Sequence, residues 1–289
     1  MEPAFGTYES FLQQKGNQFQ SHLQNKVLLC RKCGKSNGYT LKACNQCHTS
    51  LAGVELGHTE NAFTGFIYGI KYKISLRYSD EEVLIFDDML QVSSCHINAI
   101  PTKVYIPDWR YLLLNPTEGL KLLEKLEEKG WYCIKTQFLM NEEWKSKYLR
   151  DTKELTEEDY KDMYYAGCNY PPSQFQLHLQ FLLPPYRPFA WHVAPTMSVN
   201  GRGRFCPLSY LKKVLSLSLP FPVLPETPVE SIYQFFDLQG VSYDAYYDQH
   251  LQKERRMHRR LVNWKVEDFE GIVVVDTPNS TQNQRFYKL

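Results

Sequence analysis

Four cysteines and one short polar strand are the parts of this sequence whose residue types and spacing could support chemistry. The cysteines form two Cys-x-x-Cys pairs, Cys30 with Cys33 and Cys44 with Cys47. Each such turn directs two sulfur atoms to one point, and two turns supply the four thiolates of a closed tetrahedral zinc site. The spacing therefore predicts a structural zinc ion rather than a redox dithiol, because a redox motif needs one pair only. His48 follows the second pair directly and is the alternative fourth ligand.

The segment around these cysteines is basic. No Asp or Glu lies between Phe11 and Val54. Six cations lie there: Lys15, Lys26, Arg31, Lys32, Lys35 and Lys42. They indicate either a surface that contacts phosphate groups, as in nucleic acid, or cations that offset the charge of a zinc tetrathiolate. Both interpretations stay open.

The polar strand is predicted from Ser173 to Pro184, where polar and apolar residues alternate. Successive strand side chains point to opposite faces, so the odd-numbered apolar residues are predicted to face the core. The other face carries Gln174, Gln176, His178 and Gln180. Three amides around one imidazole suit a pocket that binds a ligand through hydrogen bonds, although a wet or internally satisfied face fits the pattern equally well.

Charge and composition exclude several classes of protein. The 289 residues contain 33 Lys plus Arg against 32 Asp plus Glu, and 43% are hydrophobic. A formal net charge of +1 argues against a chain whose main role is to coat nucleic acid or an anionic membrane. No stretch reaches the roughly 18 apolar residues of a membrane span, and the first residues lack the pattern of a secretory signal. We expect an intracellular protein, cytoplasmic or nuclear, with no membrane partner.

Mixed elements are predicted to position the polar strand. Residues 62–78 have a strand-rich pattern, and two short apolar strands are predicted at Val83–Phe86 and Cys95–Ile100. Residues 107–149 have helical spacing, and so do most residues of 208–219 and 231–264. The segment Lys253–Arg260 carries five basic residues and one acid, which indicates a phosphate-binding surface or a solvated helix face. No phosphate-binding role is predicted for Gly201-Arg-Gly-Arg.

The segment from Asn169 to Pro184, which includes the alternating Gln176, His178 and Gln180, resembles the histidine triad superfamily. More narrowly, it is similar to the diadenosine tetraphosphate phosphorylase branch. A second match lies upstream, where Asp88 is followed by His96 and a strand that ends in Pro. The resemblance implies an α+β fold with an antiparallel sheet and flanking helices.

The domain boundaries predicted with this resemblance are a zinc-ribbon module at 1–56, the nucleotide-binding domain at 57–195 and a mainly helical extension at 196–289. The family pattern has His at the first triad position, and this chain has Gln176 there. The third position is Gln180, as in the phosphorylase and uridylyltransferase branches.

Site roles follow from the resemblance. His178 is expected to be the nucleophile, with Gln176 and Gln180 at the flanking triad positions. Asp88 is expected to accept hydrogen bonds from ribose hydroxyls, and His96 to line the site. The expected phosphate contacts are Asn169, Ser173 and Gln174.

The implied function is a nucleotidyltransferase, phosphorylase or hydrolase that attacks the α phosphate of a nucleoside or dinucleoside polyphosphate through a covalent nucleotidyl histidine. Two alternatives stay open. One is a catalytically inactive nucleotide sensor, because Gln176 replaces the first triad His. The other is a zinc-ribbon adaptor for nucleic acid or protein. The resemblance is compatible with a monomer or a homodimer.

Overall fold

The computed structural model describes most of the chain. The described residues are 5–15, 25–38, 42–44, 47, 49–59, 61–67, 74–88, 91, 93–149, 156–161, 164–186, 201–261, 272–276 and 284–288. His48, the alternative metal ligand, lies outside them.

A small antiparallel sheet forms the cysteine-rich module. Its strands are β1 (Asn25–Leu29), β2 (Ser36–Gly38) and β3 (Leu56–Thr59), in the order β2-β1-β3. Leu28 and Leu51 pack with the buried Cys30 and Cys44 in a cluster separate from the main core. Strand β3 carries this sheet past residue 56, the predicted end of the module.

The main body is built on a six-stranded antiparallel sheet. Its strands are β4 (Leu76–Ser79), β5 (Val83–Asp87), β6 (Ser93–Pro101), β7 (Tyr165–Asn169), β8 (Leu179–Tyr186) and β9 (Phe205–Pro207). They lie in the order β4-β5-β6-β8-β7-β9. Strands β5 and β6 are buried along nearly their whole length, because protein covers the sheet on both faces.

Eight helices lie among the described residues. They are α1 (Tyr8–Lys15), α2 (Ala62–Ile67), α3 (Pro116–Ile134), α4 (Glu142–Tyr148), α5 (Glu157–Lys161), α6 (Leu208–Ser216), α7 (Val229–Asp237) and α8 (Tyr243–Leu261). A 3-10 helix precedes α3, and a π-helical turn follows it. None of these helices is long and apolar enough to cross a membrane.

Helix α3 covers one face of the sheet. The Asn115 side chain accepts a hydrogen bond from the Glu118 amide, and Pro116 occupies the first turn, which are common signals for a helix start. Gly130 on this helix lies against Phe181 of β8, and a Cβ atom at Gly130 would come within 2.2 Å of the ring. The glycine therefore permits the close approach of helix and sheet.

The sequence predicts a strand-rich stretch at 62–78, and its first part is helix α2 instead. Strand β4 begins at Leu76, within that stretch, and residues 68–73 lie outside the described ones. The Asn61 side chain accepts hydrogen bonds from the amides of Phe63 and Thr64, at 3.0 and 3.1 Å. The side-chain oxygen of Gln174 accepts another from the Ala62 amide at 2.8 Å. These caps start a helix where the local pattern favours a strand, and one of them comes from more than a hundred residues away.

Parts of the regions predicted to flank the nucleotide-binding domain belong to the main body. Phe11 of α1 packs in the main core against the rings of Tyr105 and Tyr111, at 5.4 and 5.6 Å. Part of the predicted 1–56 module therefore belongs to the main core. From the predicted helical extension, 196–289, strand β9 joins the central sheet, whereas β10 (Ile272–Asp276) and β11 (Gln284–Lys288) pair in a separate two-stranded sheet. The α+β class is confirmed.

Candidate functional site

Polar side chains from four neighbouring strands and their extensions share one face of the main sheet. Asn98 of β6 pairs with Gln180 of β8, and the Asp88 amide donates to the His96 carbonyl at 2.9 Å. Paired residues of adjacent strands point to the same face, and faces alternate along each strand. The pairing of Gly167 with Gln180, continued by two residues along each strand, sets Asn169 opposite His178. The polar residues on this face are Asp88, His96, Asn98, Asn169, His178 and Gln180.

His178 lies just before β8, with 6% of its surface exposed. Its Nδ1 lies 2.8 Å from the carbonyl oxygen of Gln176. A carbonyl oxygen only accepts, so Nδ1 carries the proton and the neutral ring keeps its lone pair on Nε2. The backbone at Gln176 thus fixes the tautomer that a nucleophilic imidazole needs.

The surroundings of His178 favour its neutral form. Burial lowers the pKa of His178 and outweighs the hydrogen bond to Gln176 and the charge of Asp88, which act in the opposite direction. The nearby His96 and Arg204 also lower the pKa. The imidazole is therefore uncharged, and its lone pair is available, at neutral pH.

Phe63 of α2 shields the imidazole. The rings of Phe63 and His178 meet edge to face, with centroids 5.0 Å apart. Phe63 and Phe66 both pack on Phe86 of β5, at 5.1 and 5.0 Å. His178 is thus buried between an aromatic ring on one side and polar or charged groups of the sheet face on the other. The short helix α2 therefore contributes to the burial of His178.

Asp88 is the carboxylate of this face. Its side chain is 22% exposed, its Oδ2 accepts a hydrogen bond from Asn98 at 2.7 Å, and His96 Nε2 lies 3.6 Å away. The preceding residue, Asp87, forms two 2.7 Å hydrogen bonds with Arg77 instead. Since adjacent strand residues alternate, this ion pair belongs to the opposite face and Asp88 remains at the site.

Amide oxygens complete the polar face. Asn98 Oδ1, Asn169 Oδ1 and Gln180 Oε1 are buried without a hydrogen-bond partner among the described residues. Buried amides rarely lack partners in native structures, so three on one face suggest a polar ligand. The amide nitrogen and oxygen of Asn169 and Gln180 can exchange places by rotation, so these two groups can offer a donor to a phosphate oxygen, whereas the Asn98 nitrogen is held by Asp88.

Two predicted site residues, Gln176 and Gln174, form hydrogen bonds with backbone groups. Gln176 is fully buried, and its amide donates to the carbonyls of Pro101 and Val104, at 3.0 and 3.1 Å, and accepts from the Ile106 amide at 3.3 Å. Gln174 caps helix α2, as described above. The prediction that Gln176 and Gln174 belong to a polar strand face therefore needs correction, because the strand starts at Leu179 and residues 173–176 form bends. Ser173 lies half-buried in these bends.

Arg204 and Asn98 were not predicted from the sequence. The charge of Arg204 acts on His178, and its backbone carbonyl accepts from the Tyr170 amide at 2.8 Å. Strand β9 brings Arg204 there by pairing Phe205 with Asn169. No local motif predicts this long-range pairing. Asn98 lies two residues after His96 in a predicted strand, so strand alternation could have placed it on the same face.

The four cysteines of the two pairs lie together, with all four sulfur atoms within 4.8 Å of one another. The sulfur atoms of Cys30 and Cys47 are 3.5 Å apart, and those of Cys33 and Cys44 are 3.6 Å apart. A tetrahedral zinc site with Zn–S bonds of about 2.3 Å requires sulfur separations of roughly 3.8 Å. Gly34, with φ of +71°, closes the first turn. The donor set therefore fits a structural metal ion, and the predicted cluster is confirmed.

Comparison with known proteins gives one family match. The family described as "Scavenger mRNA decapping enzyme C-term binding" matches residues 65–190, which contain the central part of the main sheet. This match supports the histidine triad resemblance, and it gives no support to the narrower phosphorylase branch. No curated protein matches the sequence.

Solved structures resemble the chain more distantly. A histidine triad protein from Clostridium difficile is 17% identical and covers 44% of this chain and 92% of its own, with a TM-score of 0.31. The aprataxin ortholog Hnt3 from Schizosaccharomyces pombe is 18% identical and covers 66% of this chain and 93% of its own, with a TM-score of 0.40. A structure of Hnt3 with DNA and guanosine is 16% identical and covers 67% and 98%, with a TM-score of 0.37. At these sequence identities and TM-scores, the likeness says nothing about the substrate of this chain.

Proposed function

We propose that this chain binds a nucleotide on the polar face of its main sheet and attacks the α phosphorus with His178. The observation that carries the proposal is the imidazole whose Nδ1 is fixed on the Gln176 carbonyl at 2.8 Å. This contact leaves Nε2 as the attacking atom. The acceptor of the nucleotidyl group is phosphate, water or another nucleophile.

The first step forms a bond between His178 Nε2 and the α phosphorus and breaks the bond from that phosphorus to the leaving phosphate oxygen. The leaving oxygen keeps the electron pair, and the ring becomes cationic. The Gln176 carbonyl then stabilises the ring through the Nδ1 hydrogen bond. Attack by the acceptor on the same phosphorus releases the imidazole.

Neighbouring groups supply binding and charge compensation. Asp88 is suited to accept hydrogen bonds from ribose hydroxyls. Gln180 and Asn169 carry buried amides suited to phosphate oxygens, and Asn98 donates to Asp88. Arg204 is the cation that acts on His178, and we propose that it offsets phosphate charge. Gln180 cannot protonate a leaving oxygen, so a leaving group that departs as a stable anion, such as a polyphosphate, suits the site.

The proposal predicts a covalent intermediate. Incubation with ATP labelled at the α phosphate should leave an acid-labile label on the protein, and ATP labelled at the γ phosphate should leave none. His178→Ala should abolish the label, and His96→Ala should retain part of it. Label that survives His178→Ala would reject the assignment.

A nucleotide sensor without turnover is the second candidate. The position expected to hold the first triad histidine is Gln176, whose amide is fully used by the backbone of residues 101–106. A sensor should bind AMP with an affinity that falls in Asp88→Asn, and it should show no covalent label with any acceptor. Binding and label together would exclude this candidate.

The metal site has a structural role in either case. We propose that zinc joins the turns of Cys30–Cys33 and Cys44–Cys47, because four thiolates leave no open position for a substrate.

Lys32, Lys35 and Lys42 are exposed on this module. They support the nucleic-acid adaptor as a further role, which Lys32→Gln/Lys35→Gln would test through weaker oligonucleotide binding. Substitution is preferable to deletion of 1–56, because α1 packs in the main core.

A further inference from the structure

The turn before β9 carries Arg204 and is bound by one buried tyrosine of α8. The Tyr243 hydroxyl accepts a hydrogen bond from the Gly203 amide at 2.9 Å and donates one to the Phe205 carbonyl at 2.8 Å. These two backbone groups belong to the residues on either side of Arg204. A tyrosine hydroxyl has a single proton to donate, and Tyr243 uses it within this turn. Tyr243 therefore bridges the backbone across the arginine.

Further backbone hydrogen bonds fix the shape of the turn. The amides of Arg204 and Phe205 both donate to the Gly201 carbonyl, at 3.0 and 2.9 Å. Gly203 has φ of +80°, a conformation that favours glycine. The Arg204 carbonyl accepts from the Tyr170 amide at 2.8 Å, which attaches the turn to the end of β7. The backbone of Arg204 is thus held from the β7 side by Tyr170.

The turn lies beside the polar face of the main sheet. Phe205 pairs with Asn169, and the register of β7 and β8 sets Asn169 opposite His178. Burial is the main cause of the lowered pKa of His178, and the charge of Arg204 adds to it. Because the interaction between charges falls with distance, a shift of the arginine would change both this pKa and the attraction for a phosphate.

Neighbouring rings orient the Tyr243 side chain. It is 6% exposed, its ring stacks on Tyr233 at 3.9 Å, and it meets Tyr210 edge to face at 5.5 Å. Burial raises the pKa of Tyr243 above its usual value of 10.0, so the hydroxyl keeps its proton at neutral pH. The oriented hydroxyl is therefore a fixed point of attachment for the turn.

A second link between the turn and α8 lies at the surface. Arg202 pairs with Asp244 and Asp248, whose side chains are 70% and 54% exposed. Exposed ion pairs contribute little, because water weakens the attraction and the side chains lose entropy when they are ordered. The buried hydroxyl of Tyr243 is therefore the stronger of these two links.

We propose that Tyr243 is a positioning residue, whose hydroxyl holds the turn at 201–205 so that Arg204 faces the nucleotide phosphates. This inference rests on the proposed nucleotide site, but it does not require attack by His178. Helix α8 lies beyond residues 65–190, the part of the chain that the decapping-enzyme family matches. The C-terminal part of the described chain would then contribute to the site through a side chain that does not touch the ligand.

The test removes one hydroxyl at a time from the full chain. Tyr243→Phe loses both hydrogen bonds and keeps the ring. Tyr210→Phe is the matched control, because the Tyr210 hydroxyl is buried in the same group of rings without a partner among the described residues. Circular dichroism melting measures stability, and calorimetry measures AMP affinity. Proton NMR titration measures the pKa of His178, whose other charged or titratable neighbours, Asp88 and His96, are unchanged.

We expect Tyr243→Phe to lower AMP affinity about threefold and to raise the pKa of His178, whereas Tyr210→Phe should change neither. The effects of Tyr243 and Arg204 should also be non-additive. Tyr243→Phe/Arg204→Gln should match Arg204→Gln alone in both measurements, because Tyr243 acts through Arg204.

Two results would overturn the inference. One is a Tyr243→Phe variant that matches Tyr210→Phe in AMP affinity and in the pKa of His178, even if its melting temperature falls, since the role of Tyr243 would then be structural only. The other is a double variant whose losses are the sum of the single losses. Covalent labelling separates this inference from the proposed attack. Shifts without label would support the positioning role and reject the attack, and label without shifts would do the reverse.

Discussion

At the scale of single residues, the reactivity of His178 depends on a backbone carbonyl two residues before it and on side chains from distant strands. The Gln176 carbonyl fixes the proton on Nδ1, and burial keeps the ring uncharged. Asp88 opposes this effect through its charge, whereas Arg204 reinforces it. The same Arg204 charge that lowers the pKa of the imidazole is suited to attract a phosphate.

Arg204→Gln tests this double role. We expect AMP affinity to fall about tenfold, because hydrogen bonds to charged groups contribute about 1.5–3 kcal/mol. We also expect the pKa of His178 to rise, because a nearby positive charge is removed. Calorimetry and proton NMR titration measure the two effects. The control is Arg202→Gln, since Arg202 pairs with Asp244 and Asp248 at the surface. Equal behaviour of the two variants would contradict the role of Arg204.

The sequence predicts some of these residues and misses others for a physical reason. Strand alternation and family resemblance indicate His178, Gln180 and Asp88 together, because their positions depend on local spacing. Arg204 depends on the pairing of β9 with β7, which joins segments far apart in the chain. Gln176 follows the alternation, but the chain bends there, and its amide binds backbone groups of residues 101–106 instead.

At the scale of elements, helix α2 and the bends at 173–176 form one unit. Asn61 donates to the Phe175 carbonyl at 2.8 Å, and Gln174 accepts from the Ala62 amide. The unit places Phe63 against His178. Sequence pattern predicts a strand-rich segment here. The Asn61 caps are local, but the cap from Gln174 and the bond from Asn61 to Phe175 are tertiary contacts that the local pattern does not show.

Phe63→Ala should increase the access of water to His178. Because burial is the main cause of the lowered pKa, we expect the pKa of His178 to rise toward its usual value of 6.5. As the solution is acidified, labelling by ATP should then decline at a higher pH than in the unsubstituted chain, since the protonated ring cannot attack. Phe66→Ala is the matched control, because Phe66 packs on Phe86. A shift of equal size in both variants would contradict the shielding role of Phe63.

Gln176→Ala should act on stability. It leaves the carbonyls of Pro101 and Val104 and the Ile106 amide with fewer partners, and we expect the free energy of unfolding to fall by about 3 kcal/mol. Urea denaturation measures this loss. Gln180→Ala is the comparison, because Gln180 Oε1 has no partner among the described residues. A larger loss of stability in Gln180→Ala than in Gln176→Ala would contradict the assignment of Gln176, rather than Gln180, as the amide that binds the backbone.

At the scale of the whole molecule, the described residues form two apolar clusters with different means of stabilisation. The main core is large enough to hold the sheet and its helices by burial alone. The cluster around Cys30 and Cys44 is small and contains only a few other side chains. A metal ion should therefore contribute most of the stability of this module.

Metal removal tests whether the metal ion stabilises the small cysteine module and not the main core. We expect one zinc ion per chain by elemental analysis, and loss of that ion in Cys33→Ser but not in Cys133→Ala. A chelator should abolish hydrogen-exchange protection in β1 and leave protection in β6 intact, because the clusters are separate. Loss of protection in both strands would show that the module and the main core unfold together.

Acid should destabilise the fold through buried histidines. His250 is uncharged in the folded chain down to about pH 3, whereas the unfolded chain binds a proton near pH 6.5. The stability from this group is therefore complete above pH 6.5 and declines as the pH falls toward 3. His250→Phe should reduce the pH dependence of the unfolding free energy between pH 6 and pH 4, measured by urea denaturation, by up to about 1.4 kcal/mol per pH unit. An unchanged dependence would contradict the buried neutral state.

The most direct test of the central claim is to locate the nucleotide on the chain after reaction with a nucleoside polyphosphate. The reaction is quenched in alkali, where a phosphorus–nitrogen bond survives, and peptides are mapped by mass spectrometry. Attack by Nε2 predicts one nucleoside monophosphate on the peptide that contains His178, attached to that ring. A nucleotide on another residue, or none on the chain while the substrate is consumed, would contradict it.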